Sequence, residues 1–221
     1  MGLNRSQGNM YDFITHTWNT VKGECSHDCS YCYMKRFGNR NPARFDEKEL
    51  KTLVNGKSNI VFVGSSGDLF AHDIPAEWIS KTLAHIAKSD SGFLFQSKNP
   101  GRILDFLEFL PKRTVICTTI ETNRWYPEVM NKSPKPSERA DAMSRFIHNH
   151  TFVTIEPIMD FDMEEMVELI KQCNPRQVNI GADSGNNNLP EPSKEKLLTL
   201  IEELQKFTEI ARKTNLKRLL N

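Results

Sequence analysis

Asn59-Ile60-Val61-Phe62-Val63-Gly64-Ser65-Ser66-Gly67-Asp68-Leu69-Phe70 is the stretch from which the fold is read. A short apolar run bounded by Asn and Gly suits a strand buried on both faces, as in a parallel sheet. Comparable runs recur at Asp12 to Trp18, Gly92 to Gln96, Thr114 to Ile120, Thr151 to Ile155 and Gln177 to Ile180. Helical patterns lie between them: Asp46 to Val54, Pro75 to Lys88, Pro100 to Leu110, Ser137 to Asn149, Asp162 to Cys173 and Ser193 to Arg212. Pro75, Pro100 and Asp162 stand where helices begin, because proline at the first turn loses no needed donor and Asp caps. Six strands alternating with helices predict an α/β fold with a parallel sheet and right-handed crossovers. Six units fall short of the eight that close a barrel, so the expectation is a partial (βα)6 TIM-like barrel.

The 221 residues suffice for one domain with a sizeable core, expected over 1–213, with a basic C-terminal tail at 214–221. Lys plus Arg number 29 and Asp plus Glu 28, so bulk charge selects no partner. No apolar run approaches the ~18 residues that span a bilayer, and the polar first ten residues lack the apolar core of a secretory signal. Five cysteines with three clustered do not read as a disulfide framework. A reducing cytosol suits free thiolates, so a cytoplasmic setting without membrane contact is expected.

The clustered three lie in Gly23-Glu24-Cys25-Ser26-His27-Asp28-Cys29-Ser30-Tyr31-Cys32-Tyr33. Iron–sulfur cubanes are normally held by four cysteines, so three in CxxxCxxC spacing leave one iron open to an exogenous ligand. A zinc site completed by His27 is the alternative; structural zinc takes four protein ligands, and no second CxxC pair is present. Polar residues and glycines gather after each strand, where parallel α/β folds bind ligands. They are Gly64 to Phe70, Ser97 to Pro100, Glu121 to Asn123, Glu156-Pro157 and Gly181 to Gly185.

Taken in order, Trp18-Asn19, the cysteine run, Gly67-Asp68, Lys98-Asn99-Pro100, Glu121, Ile155-Glu156-Pro157 and Gly181-Ala-Asp-Ser-Gly185 resemble the radical S-adenosylmethionine superfamily over nearly the whole chain. The pattern is similar to spore photoproduct lyase relatives and to short phage-type members. The resemblance implies reductive cleavage of S-adenosylmethionine at a [4Fe–4S] cluster, giving methionine and a hydrogen-abstracting 5′-deoxyadenosyl radical. It implies Cys25, Cys29 and Cys32 as cluster ligands. Gly67 and Asp68 take the place of the family's Gly-Gly-Glu, whose backbone meets the methionine amino group, with Ser66 in place of the first glycine. Thr119 and Glu121 stand where the methionine carboxylate or the ribose is met, Gly181 to Asp183 where backbone approaches adenine, and Tyr31 along the adenine edge.

Several residues keep two readings. Lys98 is an anion contact at a strand end or a surface lysine. Glu156 meets substrate or ribose, or caps the next helix. Cys117, on the same strand face as Thr119, is a hydrogen-atom donor or a small buried hydrophobe. An external one-electron donor of flavodoxin or ferredoxin type is expected, because no further cysteine group builds an auxiliary cluster. The resemblance favours a nucleobase, nucleotide or nucleic-acid substrate. Lys35, Arg36, Arg40 and Arg44 after the cysteines, Arg124 with Trp125, and Lys132 and Lys135 are candidate contacts, or simply solvated faces. The other classes are an enzyme acting on a peptide or small metabolite, and a non-catalytic iron–sulfur electron-transfer protein.

Overall fold

The computed structural model describes residues 3–38 and 41–221. The chain enters through β1 (Asn4–Arg5) and β2 (His16–Trp18), then passes through a small hairpin of β3 (Val21–Lys22) and β4 (Arg44–Phe45) that brackets the cysteine loop. The alternating portion follows as β5 (Ile60–Val63), α1 (Ala76–Ile86), β6 (Gly92–Gln96), β7 (Thr114–Thr119), α2 (Pro127–Met130), α3 (Pro136–Ser144), β8 (His150–Ile155), α4 (Met163–Gln172), β9 (Gln177–Ile180), α5 (Lys194–Gln205), β10 (Glu209–Arg212) and α6 (Lys217–Leu220). The eight-stranded sheet runs β1-β2-β5-β6-β7-β8-β9-β10, parallel throughout except for β1. It is the partial barrel that the strand–helix alternation predicts.

Alternation along each strand divides the interior in two. Val61, Val63, Phe93, Phe95, Ile116, Val153, Ile155, Val178 and Ile180 face the helices and build the main core. The helices answer with apolar residues three and four apart: Ile79, Leu83 and Ile86 on α1, Leu197, Leu200, Ile201 and Leu204 on α5. The opposite strand face gathers Ile60, Phe62, Leu94, Val115, Cys117 and Phe152 into a second cluster around Tyr11 and Ile14.

The differences from the sequence expectations have local causes. The expected strand from Asp12 begins only at His16, because Tyr11 and Ile14 turn into the barrel and pack on Leu94 and Cys117. The segments at 47–51 and 100–109 are 3-10 rather than α-helical. The helix expected from Ser193 to Arg212 stops at Gln205, and Glu209–Arg212 joins β9 as a seventh parallel strand. Ile210 extends the apolar period of α5, so periodicity alone does not reveal the break. Residues 214–221 pack onto the barrel, with Leu216 fully buried in the main core. Among the described residues no helix is long and apolar enough to cross a membrane.

Truncating Leu216 to Ala should cost about 2–5 kcal/mol, as for other fully buried leucines. A denaturant titration checks this; an unchanged midpoint would mean that residues 214–221 contribute nothing to the core.

Candidate active site

The carboxyl ends of the strands open onto a cavity of ≈ 1280 Å³. Its wall includes Cys25, Cys29, Tyr31, Cys32, Ser66, Gly67, Asp68, Lys98, Thr119, Glu156 and Asp183, so most of the residues singled out in the sequence meet there. Glu121, Gly181 and Cys117 stand behind that lining.

The cysteine loop is held from several sides. Gly23 precedes it at φ +113°, and a Cβ there would come 2.5 Å from the Pro42 carbonyl oxygen. Ser30 donates its amide to Val129 O, Lys132 donates its amide to His27 O, and Asn131 Nδ2 reaches Asp28 O at 2.6 Å. Burial pushes the Cys25 thiol up to about 12, with the Asp68 charge adding to it, and burial raises Cys29 too. Buried thiolates are costly unless a cation compensates, which an iron–sulfur cluster does on binding. The three sulfurs line one roomy cavity, yet among the described residues no three His, Cys, Asp or Glu side chains are gathered closely enough to hold a metal ion. His27, the fourth ligand of the zinc alternative, lines the same cavity; its Nε2 lies 2.8 Å from Asp68 Oδ2, and its buried Nδ1 has no hydrogen-bond partner.

Asp68 ties this loop to the sheet. Its Oδ2 also accepts from Ser97 Oγ and from the Lys98 amide, both at 2.9 Å, and its Oδ1 accepts from the Phe70 amide. Burial alone would raise this carboxyl, but the hydrogen bond from His27 and its other donors hold it below the usual range. Asn19 at the end of β2 accepts from the Ser66 amide at 3.0 Å, and Tyr33 Oη donates to Ser65 O at 2.7 Å. The loop after β5 is thus fixed by the strand before the cysteines and by the cysteine loop itself.

Glu121 lies under Tyr31 and is fully buried. Arg139 Nη1 meets its Oε2 at 2.7 Å, Lys98 Nζ meets its Oε1 at 2.6 Å, and Tyr31 Oη donates to the same oxygen. Burial opposes ionisation, but the Arg139 and Lys98 charges outweigh it and bring the carboxyl down to about 2. Glu121 therefore holds Lys98 and Tyr31 in place from behind the wall. The Lys98 ammonium lies 4.8 Å from the Tyr31 ring centroid, with its side chain 16% exposed to the cavity.

On the opposite wall Glu156 accepts from Asn9 and Asn215 at 2.8 Å and pairs with Lys213 at 2.5 Å. A Cβ on Gly181 would fall 2.6 Å from Glu156 Oε1, so this glycine makes room for the carboxylate. Asp183 closes its own loop, accepting from the Gly185 amide and from Asn187. Thr119 accepts from Gln96 Nε2 at 3.0 Å. Cys117 is sealed in the inner cluster beneath Tyr11, its thiol pushed up to about 12 by burial, which places it among the buried hydrophobes.

The basic candidates do not form one surface. Arg124 is locked by Asp160 and Asp162, while Trp125 packs beside the Val129–Met130–Met159 cluster. Lys35 pairs with Asp28 at 2.7 Å; Lys35, Arg36 and Lys132 reach the cavity rim, and Lys135 starts α3. Arg44 is exposed on β4, and Arg40 lies outside the described residues. Sequence reasoning missed Tyr11, His27 as a tie, Arg139, Lys213 and Asn215. Only recognition of β10 would have marked Lys213, since it then ends a strand as Glu156 does.

A family profile described as "Protein of unknown function (DUF5131)" matches residues 9–197. A curated tRNA-2-methylthio-N(6)-dimethylallyladenosine synthase from Petrotoga mobilis is 27% identical over 86% of this chain. The chain spans 51% of that relative's length. Among solved structures, a spore photoproduct lyase with bound AdoMet and dinucleoside spore photoproduct superposes with TM-score 0.60 at 13% identity, covering 93% of this chain and 66% of the lyase. Streptococcus suis SuiB bound to S-adenosylmethionine gives TM-score 0.65 at 13% identity over 89% of this chain and 49% of SuiB. Methylornithine synthase (PylB) gives 0.55 at 15% identity over 88% and 63%. The fold is that of the radical S-adenosylmethionine superfamily.

Replacing Glu121 with Gln should cost about 3–5 kcal/mol at pH 7, because Arg139 and Lys98 lose a buried counter-charge. A carboxyl depressed on folding stabilises above its unfolded value, and that stability is lost as pH falls towards the folded value of about 2. Denaturant midpoints measured from pH 7 down to pH 2 should therefore converge for wild type and Glu121→Gln; parallel profiles would contradict the assignment.

Proposed function

The chain belongs to the DUF5131 family of unknown function, and we propose that it is a radical S-adenosylmethionine enzyme acting on a nucleobase within a nucleoside, nucleotide or nucleic acid. The observation that carries the reaction class is the position of Cys25, Cys29 and Cys32. They share one cavity wall with the Ser65–Asp68 loop, at the strand ends of a radical S-adenosylmethionine fold. A [4Fe–4S] cluster on these cysteines, with S-adenosylmethionine on its open iron, would supply reductive cleavage to methionine and a hydrogen-abstracting 5′-deoxyadenosyl radical.

The chain's own contribution is placement and shielding. Asp68, Asn19 and Tyr33 hold the cysteine loop and the loop after β5 at a fixed separation. Lys98, braced by Glu121, presents an ammonium for an anionic group such as a carboxylate. The partial barrel excludes water from its floor through Tyr11 and Ile14, where a reactive radical would otherwise meet solvent. Two relatives favour a base as substrate by their names alone: a lyase bound to a dinucleoside photoproduct and a synthase of a modified tRNA adenosine. An external one-electron donor, of flavodoxin or ferredoxin type, completes the proposal.

Anaerobic reconstitution with iron and sulfide, dithionite reduction and addition of S-adenosylmethionine should yield 5′-deoxyadenosine and methionine by chromatography. Cys29→Ala should hold no cluster and form neither product. An intact wild-type cluster that forms no deoxyadenosine, and whose paramagnetic resonance spectrum ignores S-adenosylmethionine, would instead mark an electron carrier.

A further inference from the structure

The cavity has two chemically distinct halves. The cysteine loop and the Ser65–Asp68 loop leave β2 and β5, whereas Glu156 and Lys213 stand at the ends of β8 and β10. Strands β6 and β7 separate the two sets, each about 4.8 Å from the next. At ≈ 1280 Å³ the cavity also exceeds the ~300–1,000 Å³ usual for one small ligand. Its size suits a cofactor and a substrate side by side.

The second half is built around an ion pair. Lys213 Nζ lies 2.5 Å from Glu156 Oε2, and their side chains are 10% and 17% exposed. Asn9 and Asn215 fix the other carboxylate oxygen at 2.8 Å, and the Lys213 ammonium sits 4.6 Å from the Tyr11 ring centroid. Residues from the N-terminal segment, β8, β10 and the C-terminal turn thus converge on one pair, and Gly181 gives up its side chain to seat it. A largely buried ion pair is a poor source of stability, since an apolar pair of similar volume does as well or better. Its place on the cavity wall points to recognition.

The pair is neutral overall and sets an acceptor beside a donor. Glu156 accepts three hydrogen bonds of the roughly four its carboxylate can take, and Lys213 donates one of an ammonium's three. A ligand matching both presents an N–H next to a carbonyl oxygen or ring nitrogen on one rigid edge. Nucleobases present this arrangement on their Watson–Crick edge, the edge by which enzymes read an extruded base. We propose that the Glu156–Lys213 pair reads the hydrogen-bonding edge of the substrate's nucleobase. The proposal rests on the radical S-adenosylmethionine reading above and names the recognition site for its substrate. The adenine of S-adenosylmethionine carries the same edge chemistry, so the experiment separates the two sources.

The protein, reconstituted anaerobically and supplied with S-adenosylmethionine, is dialysed to equilibrium against adenosine, guanosine, cytidine and uridine, their edge N-methylated counterparts and a mixed-sequence single-stranded oligonucleotide. The double variant Glu156→Gln/Lys213→Met removes both charges together and leaves no unpaired ion; its thermal midpoint reports folding. Asn9→Ala, in an exposed segment, is the milder second variant. At least one nucleoside, or the oligonucleotide, should bind. Methylation of the nucleoside's edge nitrogen and the double variant should each weaken binding tenfold or more, and Asn9→Ala should weaken it less. No binding by any of these ligands, or binding indifferent to both variants, overturns the proposal. A loss of affinity confined to S-adenosylmethionine also overturns it and gives the pair to the cofactor's adenine. Deoxyadenosine formation by wild type in the same preparations reports the underlying reaction separately, so either failure is recognisable by itself.

Discussion

The carboxylate of Asp68 is the point on which the cysteine-loop side of the cavity depends. It accepts from an imidazole in the cysteine loop, from a hydroxyl and an amide at the end of β6, and from an amide in its own loop. Three chain segments that share no regular secondary structure are thereby fixed against one another. Loops of this kind have few apolar contacts to order them, so a buried anion with several donors does what packing does elsewhere. The thiols, the loop after β5 and the Lys98 backbone consequently form one unit, and displacing any of them strains the other two.

Behind the opposite side of Tyr31, Glu121 works by a similar logic with full charges. Arg139 neutralises it from α3 and Lys98 from the cavity side. Both carboxylates keep their charge because donors surround them, and both face inward to hold other groups. The residues of the wall are thus positioned by two anions, Asp68 within the wall and Glu121 behind it.

The strand order was readable because each buried parallel strand is a compact apolar run, with β6 and β9 bounded as their sequences suggest. β10 escaped notice because Glu209-Ile-Ala-Arg contains one β-branched residue and sits at an exposed sheet edge, where composition is free to be polar. The cysteine loop was legible from spacing alone. Tyr11 was not, since nothing in its neighbours reveals that the chain folds back into the barrel before β2 starts. Lys213 and Asn215 followed from the missed strand. Cys117 had the right parity but lies one layer too deep, a distinction that sequence alternation does not encode.

The Glu156 cluster has a consequence for the order of assembly. Asn9 and Glu156 are separated by 147 positions, and Asn215 by a further 59. Contacts that distant form only after loop closure has been met by other interactions. During synthesis, the ties of Asp68 to His27, Ser97 and Lys98 become available once β6 has emerged, while the far wall waits for the last residues of the barrel. The molecule therefore acquires its two halves at different times: the loops tied by Asp68 first, and the wall built on Glu156 and Lys213 last.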